Sequence, residues 1–474
     1  MSAEKVNLGA AGELAIRSLI ERAPLASSLA EAFKKEGFRL ALVGGPVRDA
    51  ILGRLGNDLD FTTDAHPHQT KKILKSWADN TWDTGILFGT VAGKRGDTTV
   101  EVTTYRTEKY EEDSRNPDVE FGDTIEGDLS RRDFTVNSMA LELTGSKPEF
   151  IDPFNGLGDL AERILRTPAS ARQSFTDDPL RMMRAARFAS QLDFEIAPDV
   201  LAAMKSMTDR ISIISAERVR DEFVKTLMSK NPRAGISILV ETGLAAIVLP
   251  EIPKLQLEID EHHHHKDVYE HTLRVVEQAI SYEDEYELQK DLVLRLAALM
   301  HDIGKPSTRR LESNGGVTFY HHDVVGAKLA TKRLKELRYD NDTVKAVSRL
   351  IELHLRFFGY SDQAWSDSAI RRYVRDADDQ LKRLHVLTRA DVTTRNQRKA
   401  DRLAHAYDDL EQRIVKLSEQ EQLNAIRPDL SGEEIMEILG ITPGPEVGQA
   451  YKFLMDLRLD EGPLGPDEAK SRLL

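Results

Sequence analysis

The sequence predicts an α+β fold in which strands are confined to the N-terminal part and helices make up the rest. Two observations carry this. The stretch Leu42–Asp64, LVGGPVRDAILGRLGNDLDFTTD, reads as strand, tight turn, short helix and strand. From Ser174 onward, apolar residues recur at helical spacing with no alternating segment between them.

The leading segment up to about Gly37 is expected to be helical, with Leu14, Ile16, Leu19 and Ile20 followed by Leu29, Ala32 and Phe33. Arg39–Val43 is a short apolar run that enters a turn at Gly44-Gly45. Pro46 stands at the first position of a helix, where a missing N–H costs nothing, and Gly53 and Gly56 end it. In the next strand, Asp58-Leu59-Asp60-Phe61, a period of two puts both carboxylates on one face. Asp64–Trp77 returns to helical spacing, and strands are expected at Leu87–Val91 and Thr98–Tyr105. In the latter, Glu101, Thr103 and Tyr105 share a face opposite Val100 and Val102. Glu108–Asp128, rich in acids, Gly and Asn, is expected to be a mobile loop.

Composition narrows the function. A length of 474 residues suits roughly two to four domains. No long apolar run is present, so a cytoplasmic protein without a membrane helix or signal peptide is expected. The absence of cysteine excludes a disulfide partner, a thiolate nucleophile and a zinc–cysteine knuckle. A formal net charge of −14 means that any RNA must be held by local basic faces.

Two acids side by side on a strand repel one another unless a cation lies between them. The free N–H groups of a helix start a few residues upstream are a seat for phosphate. Metal-binding acids beside a phosphate cradle are the minimum equipment for phosphoryl transfer. Read from the strand alone, Glu101 is equally a third metal carboxylate or a solvated edge residue. Downstream, DLSRRDFTVNSMAL (128–141) sets Arg131, Arg132 and Asp133 before an apolar stretch, with Asn137 one helical turn after Asp133. In FTDDPLRMMRAARFA, Arg181, Arg184 and Arg187 recur every three residues, with Met182, Met183, Ala186 and Phe188 behind them and Asp178-Pro179 as cap.

GG-x-V-R-D followed by D-x-D-x-x-T resembles the signature of the polymerase-β-like nucleotidyltransferases, in particular the class II branch of CCA-adding enzymes and bacterial poly(A) polymerases. Pro46 stands where that pattern has Ala, and Asp177 where the E-D-x-x-R motif has Glu. The resemblance implies a head with a small mixed sheet at 1–165, a helical neck and body at 166–257, and a helical tail at 404–474. It implies Asp58, Asp60 and Glu101 as catalytic carboxylates, with Asp58 and Asp60 binding Mg²⁺. Gly45, Arg48, Arg132, Asp133, Arg184 and Arg187 would hold the nucleotide. Asp178 and Arg181 would read the Watson–Crick edges of C and A, the carboxylate accepting from the amine and the guanidinium donating to ring acceptors. Arg218, Arg220 and Lys225 are further candidates for nucleotide or RNA contact, and the excess of basic residues between Arg371 and Arg402 makes RNA backbone contact plausible there.

The order His271, His301-Asp302, His322, His354 and Asp391, all in helical contexts, resembles the HD phosphohydrolases and implies an HD domain at 258–403. There His271, His301, Asp302 and Asp391 would hold a divalent metal that activates water, and His322 and His354 a second. His321 competes with His322, and the run His262–His265 is a separate histidine cluster. The expected activity is template-independent addition of C and A from CTP and ATP to the tRNA 3′ end, with release of pyrophosphate. The rival readings are a bacterial poly(A) polymerase, an HD phosphohydrolase with a nucleotide-sensing head, and a non-catalytic RNA-binding protein.

Overall fold

The structure is a computed structural model that describes residues 20–474 except 21–23, 84, 110–117, 123, 257–266, 314–315, 358–359, 361–364, 395 and 422–426. The expected helix before residue 20 and the His262–His265 run lie outside the described residues. The chain forms two compact units, Met1–Val248 and Leu249–Leu474.

The first unit carries the strands β1 (Leu40–Val43), β2 (Asp58–Thr63), β3 (Asn80–Trp82), β4 (Thr90–Arg95), β5 (Thr98–Thr104), β6 (Arg106–Lys109), β7 (Asp118–Phe121), β8 (Ala140–Glu142) and β9 (Glu149–Ile151). Seven of them form one sheet in the order β3-β4-β5-β2-β1-β8-β9. It is mixed: β2 runs antiparallel to β1 and parallel to β5. Every residue of β1 is buried, as a central strand requires, while β2 buries Leu59 and Phe61 and exposes Asp58 and Asp60. Helix α1 (Pro24–Lys35) packs on β1, helix α2 (Gly45–Ile51) joins β1 to β2, and helix α3 (Pro67–Trp77) packs on β4.

Three local expectations are corrected. Leu87 lies in a 3₁₀ turn, Ile86–Phe88, and the strand runs from Thr90 instead. Tyr105 is fully buried in a cluster with Ala41, Val43, Ile125 and Leu129, because the strand ends at Thr104 and its alternation no longer applies. The region expected to be a loop contains the antiparallel ribbon β6–β7 and helix α4 (Ile125–Ser130), which Thr124 caps.

The rest of the unit is helical. Helix α5 (Ala171–Asp177) breaks at Asp178-Pro179 before helix α6 (Leu180–Leu192), against which α7 (Ala216–Leu227) and α8 (Pro232–Glu241) pack.

In the second unit, α9 (Val268–Tyr282), α10 (Leu292–Met300), α11 (His322–Glu336), α12 (Asn341–Leu353) and α13 (Leu381–Asp391) form a bundle. Gly304 lets two of its segments touch: a Cβ there would lie 2.1 Å from the His322 carbonyl oxygen. Beyond the bundle, α14 (Gln397–Glu421) runs unbroken through the boundary expected at 403/404. A helical boundary is invisible where apolar periodicity continues across it.

Candidate active site and metal cluster

The acids of β2 meet Glu101 through strand register. Asp60 pairs with Glu101 and Asp58 with Thr99 in the parallel β2–β5 ladder, and all three carboxylates are exposed on the same face. Asp60 keeps access to solvent, yet desolvation of its carboxyl by the surrounding protein raises its pKa to about 6. Arg132 opposes that rise, and Glu101 and Asp58 add to it. A face with this concentration of negative charge accommodates a divalent cation.

Beside the acids, Gly44 turns the chain into α2. Its φ of 74° lies in the left-handed region, and a Cβ there would sit 2.8 Å from Arg132 Nη1. The backbone angles, φ 74° with ψ −132°, call for glycine, and a side chain here would also displace the Arg132 guanidinium. Asp128, fully buried, fixes both neighbouring arginines, accepting from Arg131 Nη2 at 2.7 Å and Arg132 Nη2 at 3.2 Å. Burial alone would raise the Asp128 pKa, and the two guanidinium groups overcome it.

A chain of polar contacts runs from the turn into the helical part. Arg48 is buried, donates twice to Asp49 at 3.0 and 2.9 Å, and donates to Asn137 Oδ1. Asn137 Nδ2 donates to Asp133 Oδ1 at 3.0 Å. Arg184 donates to Asp133 Oδ2 through Nε at 2.8 Å and Nη2 at 2.5 Å. Burial would raise the Asp133 pKa, but Arg184 and the Asn137 hydrogen bond hold it well below the carboxylate range. Glu222, buried on α7, stands 3.8 Å from Arg184 and 3.1 Å from Arg187. Burial and the adjacent Arg184 lower the Arg187 pKa to about 10.

Phe188, expected to pack behind the arginines, instead lies among them. The guanidinium carbons of Arg187, Arg48 and Arg184 lie 4.3, 5.3 and 5.5 Å from its ring centroid. The sequence pointed to Asn137 through its spacing from Asp133, R-R-D-F-x-x-N, but gave no sign that Asp128, Glu222 and Phe188 belong to this network.

Asp178 and Arg181 do not face each other as free groups. Asp178 Oδ1 accepts from the Leu180 N–H at 3.0 Å, and Oδ2 is 3.1 Å from Arg218. Arg181 is buried, donating to Ser174 Oγ at 2.9 Å and to the Arg131 carbonyl at 2.5 Å. Arg181 thus ties α6 to the R-R-D segment, a structural commitment that helical periodicity did not reveal.

In the second unit, the separated His and Asp residues converge at helix ends. Among the described residues, two sets of ligand atoms lie within 4.8 Å of one another: His271, His301 and Asp391, and Asp302, His322 and His354. Asp302 therefore groups with the expected second set rather than the first. It lies between them, Oδ2 at 3.2 Å from His301 Nε2 and Oδ1 at 3.3 Å from His322 Nε2. His321 is exposed at the left-handed residue before α11 and takes no part.

The imidazoles are oriented for ligation. Nδ1 of His301, His322 and His354 each meets the carbonyl three residues back, at 2.8, 2.8 and 2.6 Å, which leaves Nε2 to face the cluster. His354 Nε2 is buried with no hydrogen-bond partner. Burial with His301 nearby lowers the His354 pKa to about 4. His301 is also driven down by burial, but Asp302 and Asp391 outweigh that and raise it to about 10. Inward-facing imidazoles with the buried Asp302 and half-buried Asp391 carboxylates form a donor set that fits a divalent metal.

A sheet face of carboxylates flanked by a Gly-Gly helix start and joined to an arginine-lined helix defines a nucleotidyltransferase. The Poly A polymerase head domain model matches residues 40–166, the model of the probable RNA- and SrmB-binding site of polymerase A matches 193–255, and the HD domain model matches 268–396. An A-adding tRNA nucleotidyltransferase of Deinococcus radiodurans is 33% identical over 438 residues, 91% of this chain and 94% of that enzyme. The chain belongs to the tRNA nucleotidyltransferase and poly(A) polymerase family. A CCA-adding enzyme of Enterococcus faecalis is 40% identical over 238 residues, 48% of this chain and 57% of that enzyme. The fold is that of the Bacillus stearothermophilus CCA-adding enzyme solved in complex with CTP, at a TM-score of 0.66 and 24% identity over 96% of each chain. The Thermotoga maritima CCA-adding enzyme complexed with tRNA shares it, at a TM-score of 0.62 and 18% identity over 97% of each.

Proposed function

We propose that this nucleotidyltransferase completes the 3′ end of tRNA, adding C and A from CTP and ATP and releasing pyrophosphate. The observation that carries the reading is the shared face of Asp58, Asp60 and Glu101 beside the Gly44-Gly45 turn. Mg²⁺ held by Asp58 and Asp60, with Glu101 as third carboxylate, would lower the pKa of the attacking hydroxyl and steady the leaving group.

Gly45, Arg48 and Arg132 make up the triphosphate side of the site. Asp133 with Arg184, and Arg187 with Glu222, hold the helical wall against it. As the tRNA 3′-oxygen bonds to the α-phosphorus, the bond to pyrophosphate breaks and the hydroxyl proton leaves. Asp178, steadied by Arg218, accepts from the base amine, and Arg181 positions the segment that carries Arg131 and Arg132 while contributing to the base edge.

We assign the head to 1–165, the neck and body to 166–257, the HD domain to 258–403 and the tail to 404–474, with α14 as the continuous helix that joins the last two. In the HD domain, His271, His301, Asp302 and Asp391, with His322 and His354, would hold divalent metal for hydrolysis of a phosphate ester as an accessory activity. No described helix is long and apolar enough to cross a membrane, in keeping with work on tRNA in the cytoplasm.

A second reading, addition of the terminal A alone, is favoured by the Deinococcus relative, which matches over nearly the whole chain. Incubating tRNAs that lack CCA, CA or only A with CTP and ATP, then sequencing the products, tests both. Completion of all three acceptors supports the first reading, and extension only of the acceptor ending in CC supports the second. Long A tails would indicate poly(A) polymerase activity, and no extension would refute the function.

A further inference from the structure

The register of the head sheet places one aromatic side chain in line with the catalytic acids. Trp82 pairs with Ala92, Ala92 with Glu101, and Glu101 with Asp60. Paired residues on neighbouring strands face the same side, so these four form one row across the sheet. Strands lie about 4.8 Å apart, which sets Trp82 about 10 Å from Glu101. The position between them, Ala92, carries only a methyl group. A second row on the same face runs from Lys94 through Thr99 to Asp58.

Trp82 stands on the edge strand and is 41% exposed. Phe88 and Leu87 in the adjoining 3₁₀ turn are also exposed, and Lys94 reaches solvent. This edge lies on a defined side of the chemistry. The Gly44-Gly45 turn follows β1, which flanks β2 on one side, whereas Glu101 and then Ala92 and Trp82 lie on the other. Attacking and leaving oxygens in phosphoryl transfer lie roughly in line through phosphorus. With pyrophosphate leaving toward the glycine turn, the acceptor hydroxyl must approach from the β5–β4–β3 side.

We propose that the 3′-terminal base of the acceptor RNA stacks on Trp82, with Lys94 facing an adjoining phosphate. The proposal rests on the reading of the head as the site of tRNA extension. Stacking suits an acceptor whose last base changes as the end grows, because every base offers a π face and no hydrogen-bond pattern is required. The lysine supplies the charge that an acidic chain must concentrate locally.

The test measures single-nucleotide addition by wild type, Trp82→Ala and Trp82→Phe on intact tRNA and on tRNA with an abasic terminal nucleotide. Trp82→Ala should lower kcat/KM for the intact acceptor by about five- to a hundredfold. The KM for ATP should not move, Trp82→Phe should recover most of the loss, and the abasic acceptor should show little difference between the proteins. Lys94→Gln should weaken acceptor use and flatten its salt dependence. An acceptor kcat/KM in Trp82→Ala within about twofold of wild type, or an equal penalty on the abasic acceptor, overturns the stacking role; the expected loss is five- to a hundredfold. Equal loss in Trp82→Phe overturns it as well. Wild type run alongside separates the two failures. No addition by wild type removes both the tRNA reading and this proposal, whereas normal addition with an indifferent Trp82→Ala removes this proposal alone.

Discussion

Replacing Asp133 by Asn should destabilise the unit that contains the head. Asp133 is 7% exposed and accepts from the Phe134 N–H at 2.8 Å, from Asn137 at 3.0 Å and twice from Arg184. The substitution keeps the shape but removes the charge, and one orientation of the amide sets a donor against the Arg184 donors. Of its ion pairs among the described residues, Arg184 would keep the one with Glu222, at 3.8 Å. Breaking a buried ion pair by removing one partner costs about 3–5 kcal/mol, and Arg184 retains some exposure, so about 3 kcal/mol applies. For a domain of this size each kcal/mol lowers the melting temperature by about 2–4 °C, giving a drop of roughly 6–12 °C. Calorimetry and urea titration measure it.

The pH dependence provides an independent check. Arg184 and Asn137 depress the Asp133 pKa in the folded state against the effect of burial. The stability this contributes is fully present above the unfolded value near 3.9 and is lost as pH falls toward the folded value. The gap between wild type and variant should therefore stay constant from about pH 7 to about pH 5 and narrow below about pH 4. A melting shift below about 2 °C, or a gap that does not change with pH, would refute the assignment of Asp133 as the link between the R-R-D segment and α6; one kcal/mol alone accounts for about that shift.

Asp58→Asn and Asp60→Asn should each lower nucleotide addition by about a thousandfold with all four nucleotides, since several kcal/mol of transition-state charge stabilisation is removed. Both should melt no lower than wild type, because the exposed acids repel one another; near-normal addition by either folded variant would exclude this site. His301→Ala combined with Asp302→Ala should abolish bound divalent metal, read by elemental analysis, and metal-dependent phosphatase activity, while nucleotide addition persists. Loss of addition with an unchanged melting curve would instead make the second cluster part of the transferase. Asp178→Ala should narrow the preference for CTP over UTP by about tenfold, read as kcat/KM for each, since uracil offers a carbonyl where cytosine offers an amine. An unchanged ratio would place base choice elsewhere.

What the sequence determined by itself was local. The alternation of Asp58-Leu59-Asp60-Phe61 assigns both acids to one face because side-chain direction in a strand follows position alone. Gly44-Gly45-Pro46 marks the strand-to-helix turn because few residues tolerate those backbone angles. The His and Asp residues of the second unit could be enumerated because their order along the chain is itself a pattern, although the structure sets most of them at helix ends and in the adjoining turns.

Only the tertiary structure decided which of these groups meet. Glu101 joins Asp60 through parallel pairing, and no local pattern states which strands become neighbours. Asp133 finds Arg184 51 residues away, and Arg48 finds Asn137 89 residues away. Asp302 falls between two ligand sets, and Arg181 is drawn into a buried role, through the meeting of segments far apart in the chain. Spacing fixes the direction of a side chain within its own element, whereas partnership depends on how elements dock. Docking is set by the burial of apolar faces across the whole unit, in which no single motif is decisive.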